Sequence, residues 1–260
     1  MPRTRRSLDD VRAVFRLRAE GLTDREVSLR TGVPINTIRT WRNRRVPDYA
    51  RPSIPARTSE DPDLESFDCS AVDTEAYAYL LGMYLGDGCV TRNGSSWSLR
   101  VTLDQSYPGI INECCDAIEA IRGRRPRPTP DRRGVRCVVV QSTWRPWIKL
   151  FPQHGPGRKH RRKIILADWQ QEIVDAAPGR FLRGLIHTDG WRGLNRVRAK
   201  GKDYTYPRYQ FSNRSDDIRK LFTDTCDKLG VRWRRWTRYH VSVAQRASVA
   251  VLDSFIGPKT

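Results

Sequence analysis

From Ser7 onward the apolar positions repeat with a helical period. Leu8, Val11, Val14, Phe15 and Leu17 fall on one face, Ser7 can cap the start, and Gly21 can end the helix. Thr23, with Glu26 three residues on, predicts a second, capped helix that carries Val27 and Leu29 to a turn at Thr31-Gly32-Val33. A third helix is predicted over 34–45, with Ile35, Ile38 and Trp41 inward and Asn36, Thr37, Arg39, Thr40, Asn43 and Arg44 outward. The periodicity stops over 53–70, where prolines at 52, 55 and 62 and a run of acids predict a solvated linker. Past it come two apolar segments of related sequence, Tyr79-Leu80-Leu81-Gly82-Met83-Tyr84-Leu85-Gly86-Asp87-Gly88 and Phe181-Leu182-Arg183-Gly184-Leu185-Ile186-His187-Thr188-Asp189-Gly190.

The two segments are succeeded by elements in the same order. After Asp87 the pattern predicts a strand at 97–103, a helix at 110–121, a strand at 135–141 and a short helix at 147–151. After Asp189 it predicts a strand at 206–212, a helix at 218–229, two strands within 231–244 and a helix at 248–256. Val139 lies 52 residues beyond Asp87 and Val243 lies 54 beyond Asp189, so the chain reads as a duplicated unit.

Charge narrows the partner. Lys plus Arg number 48 against 29 Asp plus Glu, a net +19, distributed as +7 over residues 1–52, −6 over 53–75 and +18 over 76–260. Two basic bodies joined by an acidic linker point to a polyanion, because each phosphate neutralised by Lys or Arg releases counterions. Nucleic acid is the expected partner. No apolar run approaches the length needed to cross a bilayer, and the basic N-terminus lacks the apolar stretch of a secretory signal, so a cytoplasmic, nucleoid-associated protein is expected. The six cysteines show no C-x-x-C spacing and are read as buried thiols without metal.

The two related segments carry the candidate chemistry. Each places small residues four apart, Gly82 and Gly86 in one and Gly184 and Thr188 in the other, so the two helices can pack backbone to backbone. Gly88 and Gly190 are expected to supply left-handed caps. Parallel packing brings Asp87 and Asp189 together at the helix ends. Paired carboxylates at the negative pole of two helices suit a hard divalent cation, Mg²⁺ with Mn²⁺ as substitute.

These segments resemble the LAGLIDADG (dodecapeptide, DOD-type) homing endonucleases in their two-motif, single-chain form, over about residues 73–257. Leu85 and His187 stand where the family often has an acid. The resemblance implies an α+β fold of two pseudo-symmetric αββαββα repeats, at 73–153 and 178–260, joined by a basic linker at 154–177. It implies catalysis by Asp87 and Asp189 on double-stranded DNA, with the adjoining Gly86 and Thr188 read as part of the metal site. Gln141 and Gln245 are read as closing equivalent strands and positioning water. The family's catalytic lysines have no unambiguous counterpart in the sequence.

In that fold antiparallel sheets face the major groove, which assigns DNA contact to Arg100 and Thr102 in the first half. In the second it assigns contact to Arg196, Arg198, Lys200, Lys202, Arg208 and Gln210. Arg158 and Lys159, in the run 158–163, are assigned to phosphates, as is the basic loop 122–136. Residues 1–47 resemble the helix-turn-helix of resolvases and transposases, with 48–72 as linker. The leading reading is a site-specific, metal-dependent double-strand endonuclease, monomeric in its nuclease region and free-standing rather than part of an intein. The alternatives are a non-catalytic DNA-binding regulator on the same fold, as in sporulation regulators that resemble these enzymes, and an RNA maturase.

Overall fold

The computed structural model describes residues 7–43, 62–131, 136–199, 201–257 and 259. The chain divides into two compact units, Met1–Glu60 and Asp61–Thr260. Arg44 and Lys200 lie outside the described residues, as does the side chain of Asn43.

The smaller unit holds three helices, α1 (Leu8–Ala19), α2 (Asp24–Thr31) and α3 (Ile35–Asn43). The expected capping box of Thr23 with Glu26 forms, the Glu26 carboxylate accepting from the Thr23 amide at 2.7 Å, and Ser7, expected as a cap, makes a second box with Asp10. Gly32 ends α2 at φ +65°, a conformation that favours glycine. Val11, Val14, Val27, Val33, Ile38 and Trp41 form the core. Leu29 is 80% exposed and Phe15 is also on the surface, so the apolar face is narrower than the sequence pattern suggested. On α3, Asn36, Arg39 and Thr40 are exposed and Thr37 is half-buried. The Thr40 hydroxyl donates back to the Asn36 carbonyl at 2.8 Å, and Arg39 approaches Asp24 at 3.9 Å.

The larger unit is α+β. Its elements are α4 (Thr74–Asp87), β1 (Gly88–Asn93), β2 (Ser96–Asp104), α5 (Pro108–Arg122), β3 (Thr129–Pro130), β4 (Cys137–Thr143), α6 (Trp147–Leu150) and α7 (Asp168–Ala176). They continue with α8 (Pro178–Asp189), β5 (Gly190–Ala199), β6 (Lys202–Ser212), α9 (Asp216–Lys228), β7 (Arg234–Arg235), β8 (His240–Val243) and α10 (Arg246–Ile256). Two antiparallel four-stranded sheets result, ordered β1-β2-β4-β3 and β5-β6-β8-β7, so the halves share one topology. One apolar core spans both halves. Helix α7 lies in the segment read as a basic linker, and its Ile173 and Val174 join that core. Gln170 on α7 donates to the buried Tyr77 hydroxyl of α4 at 2.6 Å, tying the connection to the central helix.

Helices α4 and α8 are the centre of the unit. Every residue of α4 from Ala76 to Leu85 is buried. A Cβ on Gly82 would sit 2.5 Å from the Phe181 carbonyl oxygen, one on Gly184 would strike the Tyr79 carbonyl, and one on Gly86 would run into the Thr188 side chain. The small residues therefore set the approach of the two backbones. Gly88 and Gly190 do not form left-handed caps, because their φ values are −91° and −103°. They are needed for space: a Cβ would fall 2.5 Å from the Cα of Tyr84 in one half and of Ile186 in the other. This lets each chain turn from helix straight into strand.

The register fixes which side chains share a sheet face. In the first sheet Val101 and Leu99 point to the helices, while Cys89, Arg100 and Gln141 form one outward row. In the second, Tyr209 and Phe211 are buried, and Arg192, Leu194, Arg196 and Arg198 share their side. Arg192 pairs with Asp253 of α10 at 2.6 Å, and Arg198 lies opposite Asp203 at 3.9 Å. Arg196 and Arg198 are thus on the helix-facing side of a ribbon that runs past the helices, which corrects their assignment to the outward face. Lys202, Arg208 and Gln210 do face outward.

Gly82→Ala is expected to destabilise the larger unit by at least about 1–3 kcal/mol, because backbone atoms rather than a flexible side chain stand in the way. Urea unfolding measures it; an unchanged midpoint would show that the helices do not depend on this close approach.

Candidate active site at the paired helix ends

Asp87 and Asp189 are the last residues of α4 and α8, and the Gly86–Thr188 packing just before them sets them side by side. Helix C-termini carry unsatisfied carbonyls and negative potential, so this is an unfavourable place for a carboxylate. Burial raises the proton affinity of both acids. Asp189 is pushed up to about 6 by burial and then by the charge of Asp87, while Asn213 and two lysines pull it back. Asp87 is raised by burial, against the pull of the same two lysines. Asn213 Nδ2 donates to Asp189 Oδ2 at 2.6 Å.

The lysines are Lys159 and Lys259. Lys159 Nζ donates to the carbonyls of Leu85 at 3.1 Å and Gly86 at 3.0 Å, and also to that of Tyr84, so it caps the last turn of α4. It lies over the Tyr84 ring at 4.9 Å. Lys259 Nζ donates to the His187 carbonyl at 3.2 Å and to that of Gly190 at 2.5 Å, the corresponding place on α8. Burial lowers the proton affinity of both, Lys159 to about 8, while the two aspartates oppose the shift. Four charges thus share one site, Asp87 exposed and Asp189, Lys159 and Lys259 half-buried, and each ammonium also satisfies orphan carbonyls.

Lys259 is placed by the end of α10. Arg183 on α8 donates to the carbonyl of Phe255 at 3.0 Å and to that of Ile256, while its other nitrogens grip Glu113 of α5 at 2.7–3.0 Å. Gly257, at φ +67°, then turns the chain.

Beside the acids opens a cavity of about 420 Å³ lined by Gly88, Cys89, Lys159, Arg162, Asp189 and Asn213 among others. Arg162 braces the wall, donating to the Gly155 carbonyl at 2.5 Å and to those of Pro156 and Gly157 at 3.2 Å. Within the run 158–163, then, Lys159 and Arg162 serve the site and Arg158, Arg161 and Lys163 stay exposed. That corrects the assignment of Lys159 to a surface phosphate contact. In the basic loop, Arg125 is engaged by Asp116 and by Glu119 at 3.3 Å, and Arg122 donates to Ser142 at 2.8 Å.

Several expected site residues stand elsewhere. Gln141 lies mid-strand in the outward row with Arg100, beside a cavity lined by Arg122, Arg124, Arg125 and Arg127. Gln245 precedes α10, outside β8, and lines a separate groove. The two are not equivalent. Val101 pairs with Val140 as Phe211 pairs with Val241, so the counterpart of Gln141 is Ser242. The Thr188 hydroxyl is spent on the carbonyls of Gly184 at 3.1 Å and Leu185 at 3.0 Å, and the Gly86 carbonyl is taken by Lys159. Cys89, read as one of six buried thiols, is exposed at the cavity mouth.

Lys259 and Asn213 were missed as site residues, and Lys159 was read only as a phosphate contact. The lysines did leave a signal, standing 72 residues beyond Asp87 and 70 beyond Asp189, which parallels the other duplicated spacings. Asn213 left none.

No family model matches the chain, and no curated protein matches it. Solved structures similar to it include the LAGLIDADG meganuclease I-AabMI bound to uncleaved DNA, with 12% identity, 69% of this chain and 82% of that one covered, and a TM-score of 0.45. I-DmoI in complex with DNA and Mn is similar at 14% identity, with 72% and 99% covered and a TM-score of 0.45. The N-terminal LAGLIDADG domain of DUF199/WhiA is similar at 10% identity, with 74% and 87% covered and a TM-score of 0.46.

Because the folded-state proton affinity of Asp189 lies above its unfolded value, its ionised form costs stability above pH 6, and that cost disappears as pH falls below 4. Asp189→Asn is therefore expected to stabilise the metal-free protein by about 1–3 kcal/mol at pH 7.5. Thermal melts of both proteins in EDTA at pH 7.5 and pH 4 measure this; a loss of stability at the higher pH would show that the lysines fully compensate the charge.

Proposed function

We propose that this chain is a site-specific DNA endonuclease that hydrolyses a phosphodiester bond on each strand of a duplex, using a divalent cation at Asp87 and Asp189. The observation that carries the reading is the pair of carboxylates at adjoining helix ends, each flanked by a lysine that caps the same helix end. A structure organised for stability alone has no use for four charges crowded together at a partly desolvated place, which costs desolvation energy.

The donor set fits Mg²⁺, with Mn²⁺ as substitute. Both carboxylates offer hard oxygen, and because desolvation raises their proton affinity, a cation that neutralises them relieves that cost. Among the described residues no group of three or more His, Cys, Asp and Glu gathers to close a cage. That suits an ion which keeps water and completes its shell with substrate phosphate. When bound there, such an ion supplies Lewis acidity to a phosphoryl oxygen and makes a coordinated water more acidic.

The chain's own groups do the rest. Asn213 fixes the orientation of the Asp189 carboxylate through Oδ2. Lys159 and Lys259 hold positive charge beside the place where a phosphate would gain negative charge, and burial lowers the proton affinity of both, that of Lys159 to about 8, where proton exchange near neutral pH becomes accessible. Arg100, Thr102, Lys202 and Gln210 face outward on the two sheets, where they can reach base edges and phosphates of a duplex. The three-helix unit presents Asn36, Arg39 and Thr40 on α3 and adds a second contact with DNA, raising affinity through effective concentration. Both half-sites come from one chain, so a monomer suffices.

The test is selection from a randomised duplex library in Mg²⁺, sequencing bound and cut molecules separately. Wild type is expected to enrich and cut one long site, and Asp87→Asn and Asp189→Asn to bind the same site without double-strand cleavage. If all three enrich the same site and none cuts in Mg²⁺ or Mn²⁺, the protein is a DNA-binding regulator and the chemistry is withdrawn.

A further inference from the structure

The outward faces of the two sheets are chemically unequal. In the first, the outward side chains of β1, β2 and β4 include Cys89, Thr91, Ser98, Arg100, Thr102 and Gln141, and among the described residues none there is aromatic. In the second, Trp191, Tyr204 and Tyr206 face outward. Beyond β7, Trp236 closes the end of a groove of about 1090 Å³.

Two rings of that groove stand open to solvent, Trp236 at 57% and Tyr204 at 48% exposure. Trp233 forms a fixed wall, its indole N–H donating to Asp227 at 2.8 Å. Arg208, Arg232, Arg234, Arg235 and Arg246 also line the groove, against the single carboxylate of Asp227. The Arg208 guanidinium lies 5.8 Å from the Trp236 ring centre, and its Nε is buried without a hydrogen-bond partner.

This combination does not suit a duplex. In B-form DNA the faces of the bases are stacked on each other and only their edges reach the groove, so an exposed aromatic ring finds no partner of its own kind. Unpaired bases offer their faces, and arginines spaced along the same groove meet the phosphates between them. We propose that this groove binds single-stranded nucleic acid, with an unpaired base stacked on Trp236 and a second on Tyr204, and with Arg208 donating to a base or phosphate. Unpaired DNA and an RNA loop share this chemistry, and the experiment separates them. The proposal does not depend on cleavage.

The full-length protein, in EDTA, is titrated into fluorescently labelled short oligo(dT), oligo(rU) and a hairpin duplex, and binding is read by anisotropy. Trp236→Ala and Tyr204→Ala are each expected to weaken single-strand binding about tenfold while duplex binding changes by less than about threefold; Trp236→Phe retains most of the affinity. Both positions are solvent-exposed, and thermal melts confirm that the variants are folded. Tighter binding of oligo(dT) supports displaced DNA as the occupant, and tighter binding of oligo(rU) supports RNA. Loss of duplex and single-strand binding by the same factor, or single-strand binding that ignores both rings, overturns the proposal. Failure of the library experiment to find cleavage leaves this result standing on its own.

Discussion

The larger unit is built on the backbone contact between α4 and α8. At Gly82 and Gly184 the helices come closer than any side chain permits, so the crossing cannot slide or rotate without a steric clash. Because Asp87 and Asp189 end the two helices just beyond this crossing, the same contact fixes the separation of the two carboxylates. The strands that leave Asp87 and Asp189 directly through Gly88 and Gly190 then place both sheets relative to the helix pair. A packing decision made by a few hydrogen atoms in place of methyl groups thereby sets the geometry of both the chemistry and the binding faces.

That contact creates an electrostatic problem, and the rest of the site answers it. Two acids at two negative helix ends repel each other and the carbonyls beside them. Lys159 and Lys259 answer both problems at once, since each ammonium satisfies helix carbonyls and stands near the acids. The answer is partial: the carboxylates remain easier to protonate and the lysines easier to deprotonate than in water. A region held in that condition is poised to accept a cation or a phosphate, whereas full compensation would leave it inert.

The sequence displayed the duplicated helices, their terminal aspartates and most long elements, because strong apolar periodicity and a repeated Asp-Gly are local signals. It hid features set by pairing across the fold. Arg196 and Arg198 alternate as an outward row should, yet only the partner strand tells which phase faces the helices, and Tyr209 and Phe211 set it the other way. Gln141 and Gln245 looked equivalent by spacing, but the register matches Gln141 with Ser242, three residues earlier, so Gln245 falls past the strand. The short strands β3 and β7 consist of two residues each and carry no period to detect. Lys159 was visible only as one cation in a basic run, and its burial depends on a turn braced by Arg162.

The halves share a topology without sharing their details. Phe211 and Val101 occupy matching places, so Asn213, which steadies Asp189, corresponds to Leu103 beside the other aspartate. In a dimer of identical subunits every substitution is made twice, and the two sides of the site are bound to remain alike. Here each side can be altered alone. The polarity of one carboxylate's surroundings can drift without touching its counterpart, and in the proposed endonuclease so can the set of bases one sheet reads, which would free the target from having to be a palindrome.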